Sequence, residues 1–280
     1  MLAWYNLAGS FTIALGALGG GWLAQALRMN GMPALDAYQI ILAGYALSGG
    51  GLALLFLGLS RQVEVAPVTP PVAARQRFGL RHPESRQVVM ALSGLFALDA
   101  FAGGFIVQSL LAYWFYLRFG ADAGLLGSLF FGANVLAGVS ALLAVRLAAR
   151  FGLINTMVFT HIPSNLLLCL VPLMPTLPLA MAVLLLRYSI SQMDVPTRQS
   201  YTLAVVAPDE RSAAAGITNI ARSLGAALSP LLSGLLLAHP LLLNTPIFLA
   251  GGLKIVYDLL LYRRFRALKP PEEQTSVIHH

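Results

Sequence analysis

Three arginines and an aspartate stand where the surrounding sequence is otherwise apolar: Arg187, Asp194, Arg198 and Arg222. Charged side chains are costly in hydrocarbon, so each should be paired, turned to water or put to use. Arg187, Ser191, Asp194, Arg198 and Tyr201 recur at steps of four, three, four and three, which at about 100° per residue puts all five on one face of a helix. On that face Asp194 and Arg198 can pair one turn apart. Pro196 lies in the same run and offers no N–H to the carbonyl of Gln192, which predicts a kink beside the polar face.

Other apolar runs carry their own buried chemistry. Asp99 is central in one, His161 and Asn165 flank Pro163 in another, and Asn219 and Arg222 share a face of a third. By depth Asp99, His161, Arg187 and Arg222 fall near the middle of their runs. A carboxylate and an imidazole at that depth can each change protonation as access switches sides, while an arginine can tune them or bind an anion. The structural alternative is that the polar face clamps one helix to its neighbours and that His161 bonds helix to helix. Lys254 and Asp258, four apart in the last run, are expected to neutralise each other.

The elements that must position these residues are membrane spans. The 280 residues are 58% hydrophobic and 10% charged, with a mean hydropathy of +0.75, against about 25% charged in an average soluble domain. Apolar runs near 20 residues predict eight transmembrane helices at about 2–26, 38–60, 88–116, 125–149, 154–173, 177–204, 213–238 and 246–262, an all-α polytopic membrane protein. The connections on one side hold Arg61, Arg75, Arg77, Arg81, Arg86, Arg146, Arg150, Arg211, Arg263, Arg264, Arg266 and Lys269, and the other side only Arg28 and Arg118. Twelve against two predicts both termini in the cytoplasm. The net charge of +7 then follows from topology and anionic lipid, with no nucleic-acid partner.

Residues 61–87, with Pro67, Pro70, Pro71 and Pro83 and a set of arginines, read as a cytoplasmic linker with room for a short surface helix, the most mobile part of the chain. It divides two helices (1–60) from six (88–265), and 266–280 form a polar cytoplasmic tail. Met1 is followed at once by Leu2-Ala3-Trp4-Tyr5, with no basic lead, which suggests a start part-way through a longer protein. Cys169 reads as a small buried apolar residue. No metal-spaced Cys/His set, phosphate-cradling loop or Gly-x-Ser-x-Gly occurs, so no catalytic residue, metal or cofactor is expected. The glycine clusters 19–21 and 49–51, and Gly16-x-x-x-Gly20, read as surfaces for close helix packing.

Two loops carry a family resemblance. Arg146-Leu147-Ala148-Ala149-Arg150-Phe151-Gly152 resembles the degenerate second copy of the Gly-x-Leu-Ala-Asp-Arg-x-Gly loop of the major facilitator superfamily, with Val145 at the motif's first glycine and Ala149 at its aspartate. Pro208-Asp209-Glu210-Arg211-Ser212, leading to Gly216, resembles the Pro-x-x-Arg loop before that family's eleventh helix. The layout is similar to the last eight of its twelve helices: the end of the N-terminal bundle, a linker, and a C-terminal six-helix bundle.

The resemblance implies secondary transport of a small-molecule solute by alternating access, with protons as the candidate coupling ion, in a multi-pass protein of the lipid bilayer of the cell (inner) membrane. Asp99, His161, Asn165, Arg187, Asn219 and Arg222 are then the candidate pathway residues. Arg150, Asp194, Arg198 and Arg211 are the candidate cytoplasmic gate or latch. The main rival is a non-transporting membrane subunit or assembly factor whose intramembrane polar residues are purely structural. A membrane enzyme is disfavoured, because catalytic polar residues should gather near one interface and these are dispersed at mid-depth.

Overall fold

The structure, a computed structural model, describes residues 2–59 and 79–268, with side chains from Leu7 onward in the first helix. Most of the expected linker, residues 61–78, and the tail from 269 on lie outside the described residues. The described chain forms α1 (Leu2–Met29), α2 (Ala34–Leu57), α3 (Pro83–Gly104), α4 (Gln108–Phe119), α5 (Ala123–Phe151), α6 (Leu153–Leu170), α7 (Leu177–Ser191), α8 (Asp194–Ala204), α9 (Arg211–Leu237) and α10 (Thr245–Phe265). Within it seven helical segments are long and apolar enough to cross a membrane, with α3 and α4 together making one of them.

The sixth expected helix, 177–204, is the exception. It is broken at Gln192 and Met193 into α7 and α8, neither of which reaches the length of a span. Pro196 therefore does not kink a continuous helix. A proline ring clashes with the carbonyl four residues back, here that of Gln192, and the chain leaves the helix at that residue. Pro196 becomes the third residue of α8, inside the first turn, where an N–H has no intrahelical partner to lose. The amide freed at Gln192 donates to the Ser140 hydroxyl of α5 at 3.2 Å.

A second break separates α3 from α4 at Phe105–Val107. Ser233 of α9 donates to the carbonyl of Phe105 at 2.9 Å, so an acceptor at the end of α3 is satisfied from a neighbouring helix.

Close approach of backbones sets the packing. α1 lies on α5, where a Cβ on Gly21 would come within 2.6 Å of the Ala123 carbonyl oxygen and 2.7 Å of the Gly127 Cα. The expected Gly16/Gly20 surface meets no helix here: among the described residues, neither glycine, nor any of 49–51, has a neighbour within 4 Å of its Cβ position. α3 lies against α9, where Gly225 leaves space for the Ala97 carbonyl. α10 packs on both α3 and α6, and α6 and α5 flank α7. One apolar core gathers Trp114, Phe115, Phe130, Leu168 and Leu184, and a second gathers Phe96, Met157, Tyr201, Tyr257 and Leu261. The charged residues lie beside the second core.

Candidate functional site

Asp99 sits on α3, two residues from the carbonyl that fills the space left by Gly225, and this tight contact brings α9 within side-chain reach. Its carboxylate faces three cations. Lys254 Nζ of α10 is 2.5 Å from Oδ1, while Nη1 of Arg198 (α8) and Nη1 of Arg222 (α9) each donate to Oδ2 at 3.2 Å. Arg198 Nη1 also donates to Asp194 Oδ2 at 2.8 Å, the i, i+4 pair that the spacing allows. Four elements thus meet at one carboxylate. Asp99, Asp194, Arg198 and Lys254 are buried, whereas the Arg222 side chain keeps 29% of its surface exposed.

A second centre lies one turn further along α10. His161 Nδ1 is 2.8 Å from Asp258 Oδ1, and Asn165 Nδ2 donates to Oδ2 at 3.2 Å, so α6 occupies both oxygens of that carboxylate. The expected Lys254–Asp258 neutralisation is not made: Lys254 serves Asp99 and Asp258 serves α6. Buried charges need close partners, and residues on other helices supply them here. The Tyr257 ring packs edge-on to His161, with centroids 6.1 Å apart.

Beside Asp99 a cavity of about 220 Å³ opens between α3, α8 and α9. Arg198, Arg222, Asn219, Gln199 and Phe96 line it, and the Arg198 guanidinium lies 5.6 Å from the centre of the Phe96 ring. Among the described residues, no acidic side chain lines it.

This architecture of membrane helices, two of them broken, agrees with the comparison of the sequence with known families. The model of the major facilitator superfamily matches residues 100–278, well over half of the chain. The chain belongs to the major facilitator superfamily. Members of this superfamily are transporters rather than enzymes. The sequence is also similar to an uncharacterised membrane protein of Saccharomyces cerevisiae, YJR124C, with 26% identity over 285 residues. That alignment covers 92% of this chain and 63% of the yeast protein, so the chain spans less than two thirds of the relative's length. No solved structure matches the chain closely enough to establish a relationship.

Within this facilitator the sequence-derived candidates separate into groups. Asp99 and Arg222 meet directly, and Asn219 lines the cavity next to them. His161 and Asn165 converge on Asp258 instead. Arg187 joins neither centre: it is buried on α7 with its guanidinium 5.1 Å from the ring of its neighbour Tyr188, and its Nε has no partner among the described residues. Of the gate candidates, Asp194 and Arg198 are paired, and Arg211 donates through Nε to the Leu203 carbonyl at 2.9 Å, tying the start of α9 to the end of α8. Arg150 is exposed and lies over its own neighbour Phe151, away from both.

Lys254 and Asp258 are the members that the spacing argument set aside. Depth was the signal that could have found them. An i, i+4 pair stabilises a helix by only about 0.2–0.5 kcal/mol, far less than burying either charge costs, so two mid-helix charges call for partners elsewhere. Glu210 is a further buried acid at the helix ends, accepting the backbone N–H of His82 at 2.9 Å and that of Arg81, which fixes the start of α3 to the turn before α9.

Proposed function

We propose that this chain moves a small solute across the cell membrane by alternating access, coupled to protons, with both termini in the cytoplasm. The observation that carries the reading is the convergence of Arg198, Arg222 and Lys254 from three elements on Asp99 of a fourth, at the wall of a cavity. Such a cluster has discrete paired and unpaired arrangements, and rocking of one element against another exchanges them. The His161–Asp258 pair, and Asp99 in the arrangement where its three cations have been withdrawn, are the groups that take up and release the coupling proton. Arg222 and Asn219 face the solute, Arg187 and Asn165 line the remainder of the path, and Asp194, Arg198 and Arg211 form the gate at the α8–α9 end. The basic residues at that end support a cytoplasmic location for it.

The test is reconstitution of the purified chain in vesicles containing a pH-sensitive dye, with a panel of small solutes added outside. Transport predicts solute-dependent proton movement that is lost in Asp99→Asn while that variant remains monodisperse. If folded Asp99→Asn moves protons and solute at the wild-type rate, the proton role of Asp99 is wrong. A chain that moves no solute, and whose variants change only folded yield, is the structural subunit.

A further inference from the structure

The lining of the α3–α8–α9 cavity is one-sided in charge. Arg198 and Arg222 contribute to it, and among the described residues no carboxylate does. Behind the lining, two carboxylates, Asp99 and Asp194, directly pair with three cations, Arg198, Arg222 and Lys254, among the described residues, while Asp258 is engaged by His161 and Asn165 instead. The two guanidinium groups also spend little of their capacity on Asp99. Both reach the same oxygen through a single Nη1, although a guanidinium carries five N–H donors in a fork matched to a carboxylate or phosphate. Arg222 makes no other hydrogen bond among the described residues and is the most exposed member of the cluster.

We infer that this cavity takes a small oxyanion, through a carboxylate or phosphate group, which Arg222 and Arg198 grip in place of Asp99. This deepens the transport reading by naming the solute class, and it rests on that reading for what the site serves. The Phe96 ring beneath Arg198 fixes the plane of one guanidinium, and the Asn219 amide adds a donor on the open side. The volume of about 220 Å³ limits the ligand to a small one. Because Asp99 and the anion compete for the same two arginines, anion binding loosens the contacts that hold α8 and α9 to α3. A neutral solute has no such lever.

The test is binding to the full purified chain in detergent, followed by the melting midpoint and by calorimetry, with sodium phosphate and sodium acetate as separate probes. Sodium chloride at matched ionic strength and glycerol are the controls. Saturable stabilisation by phosphate alone, acetate alone or both, absent in the controls, supports the site and identifies the preferred head group. Arg222→Gln should weaken that binding by about tenfold or more. Should Arg222→Gln not fold, Asn219→Asp places a carboxylate on the lining outside the ion cluster and should weaken anion binding by a similar factor. Failure of both anions to bind a cooperatively melting protein overturns the inference, as does unchanged affinity in folded Arg222→Gln or Asn219→Asp. Binding with this pattern but no flux in vesicles keeps the anion site and removes the transport reading. Flux of neutral solutes with no anion binding does the reverse.

Discussion

The partner of Lys254 can be settled by paired double-mutant cycles. Lys254 touches Asp99 at 2.5 Å, while Asp258, four residues along the same helix, has both oxygens engaged by His161 and Asn165. Asp99→Asn leaves Arg198, Arg222 and Lys254 with only Asp194, so the local charge rises from +1 to +2. Removing one partner from a buried ion pair costs about 3–5 kcal/mol. At roughly 2–4 °C per kcal/mol for a chain of this size, that is a fall of ~6–20 °C in melting midpoint. Lys254→Met strips one cation from a carboxylate that keeps two, and a smaller cost of about 2 kcal/mol follows. The double variant holds two arginines against Asp194, returning the local charge to +1. It should therefore recover about 2–3 kcal/mol relative to the sum of the single costs. The cycle for Lys254→Met with Asp258→Asn should show a coupling below about 0.5 kcal/mol, the size of an ordinary helix-neighbour term. Midpoints and yields of the four forms in each cycle, in one detergent at one pH, give both couplings. Stronger coupling of Lys254 to Asp258 than to Asp99 would refute the assignment of partners and with it the charge count behind the anion site.

Two further perturbations address the scaffold. Gly21→Val should separate α1 from α5, because its Cβ would come within 2.6 Å of the Ala123 carbonyl oxygen. The expected cost is about 1–3 kcal/mol of overpacking, read as a lower melting midpoint, while Gly20→Ala, with nothing within 4 Å, changes little. Ser140→Ala leaves the Gln192 amide at the α7–α8 break without its 3.2 Å acceptor and should cost about 1–3 kcal/mol. Faster hydrogen exchange confined to 191–194 would report the same loss locally.

The sequence was legible where a physical rule acts over a whole segment and illegible where it depends on one contact. Spans near 20 residues follow from the thickness of hydrocarbon, which is why α1, α2, α5, α6, α9 and α10 lie close to their expected places. Pro196 marks the α7–α8 break within its own segment, but the groups left at the two breaks are satisfied by Ser140 and Ser233 on other helices, and nothing in the broken segments encodes those partners. The glycine contacts behave alike. Gly20 and Gly21 are neighbours in sequence, but only Gly21 faces α5, a difference fixed by how α1 is rotated against its partner.

The same distinction explains which charges could be paired in advance. Asp194 and Arg198 share a helix, so their separation fixes their meeting. Asp99 and Lys254 are separated by 155 positions, and only the packing of α10 on α3 joins them. The break at Gln192–Met193 makes this separation matter. Had 177–204 formed one rigid helix, Arg198 would be bound to move with Arg187. With the helix broken, Arg198 stands on an eleven-residue element tied to α3 through Asp99 and to α9 through the Arg211–Leu203 bond, while Arg187 stays on α7. A change at Asp99 therefore reaches α8 without a continuous helix to carry it into α7, although α8 also packs on α6 and α5. A contact that shifts the Arg198–Asp99 balance acts first on α8 and then, through Arg211, on the start of α9.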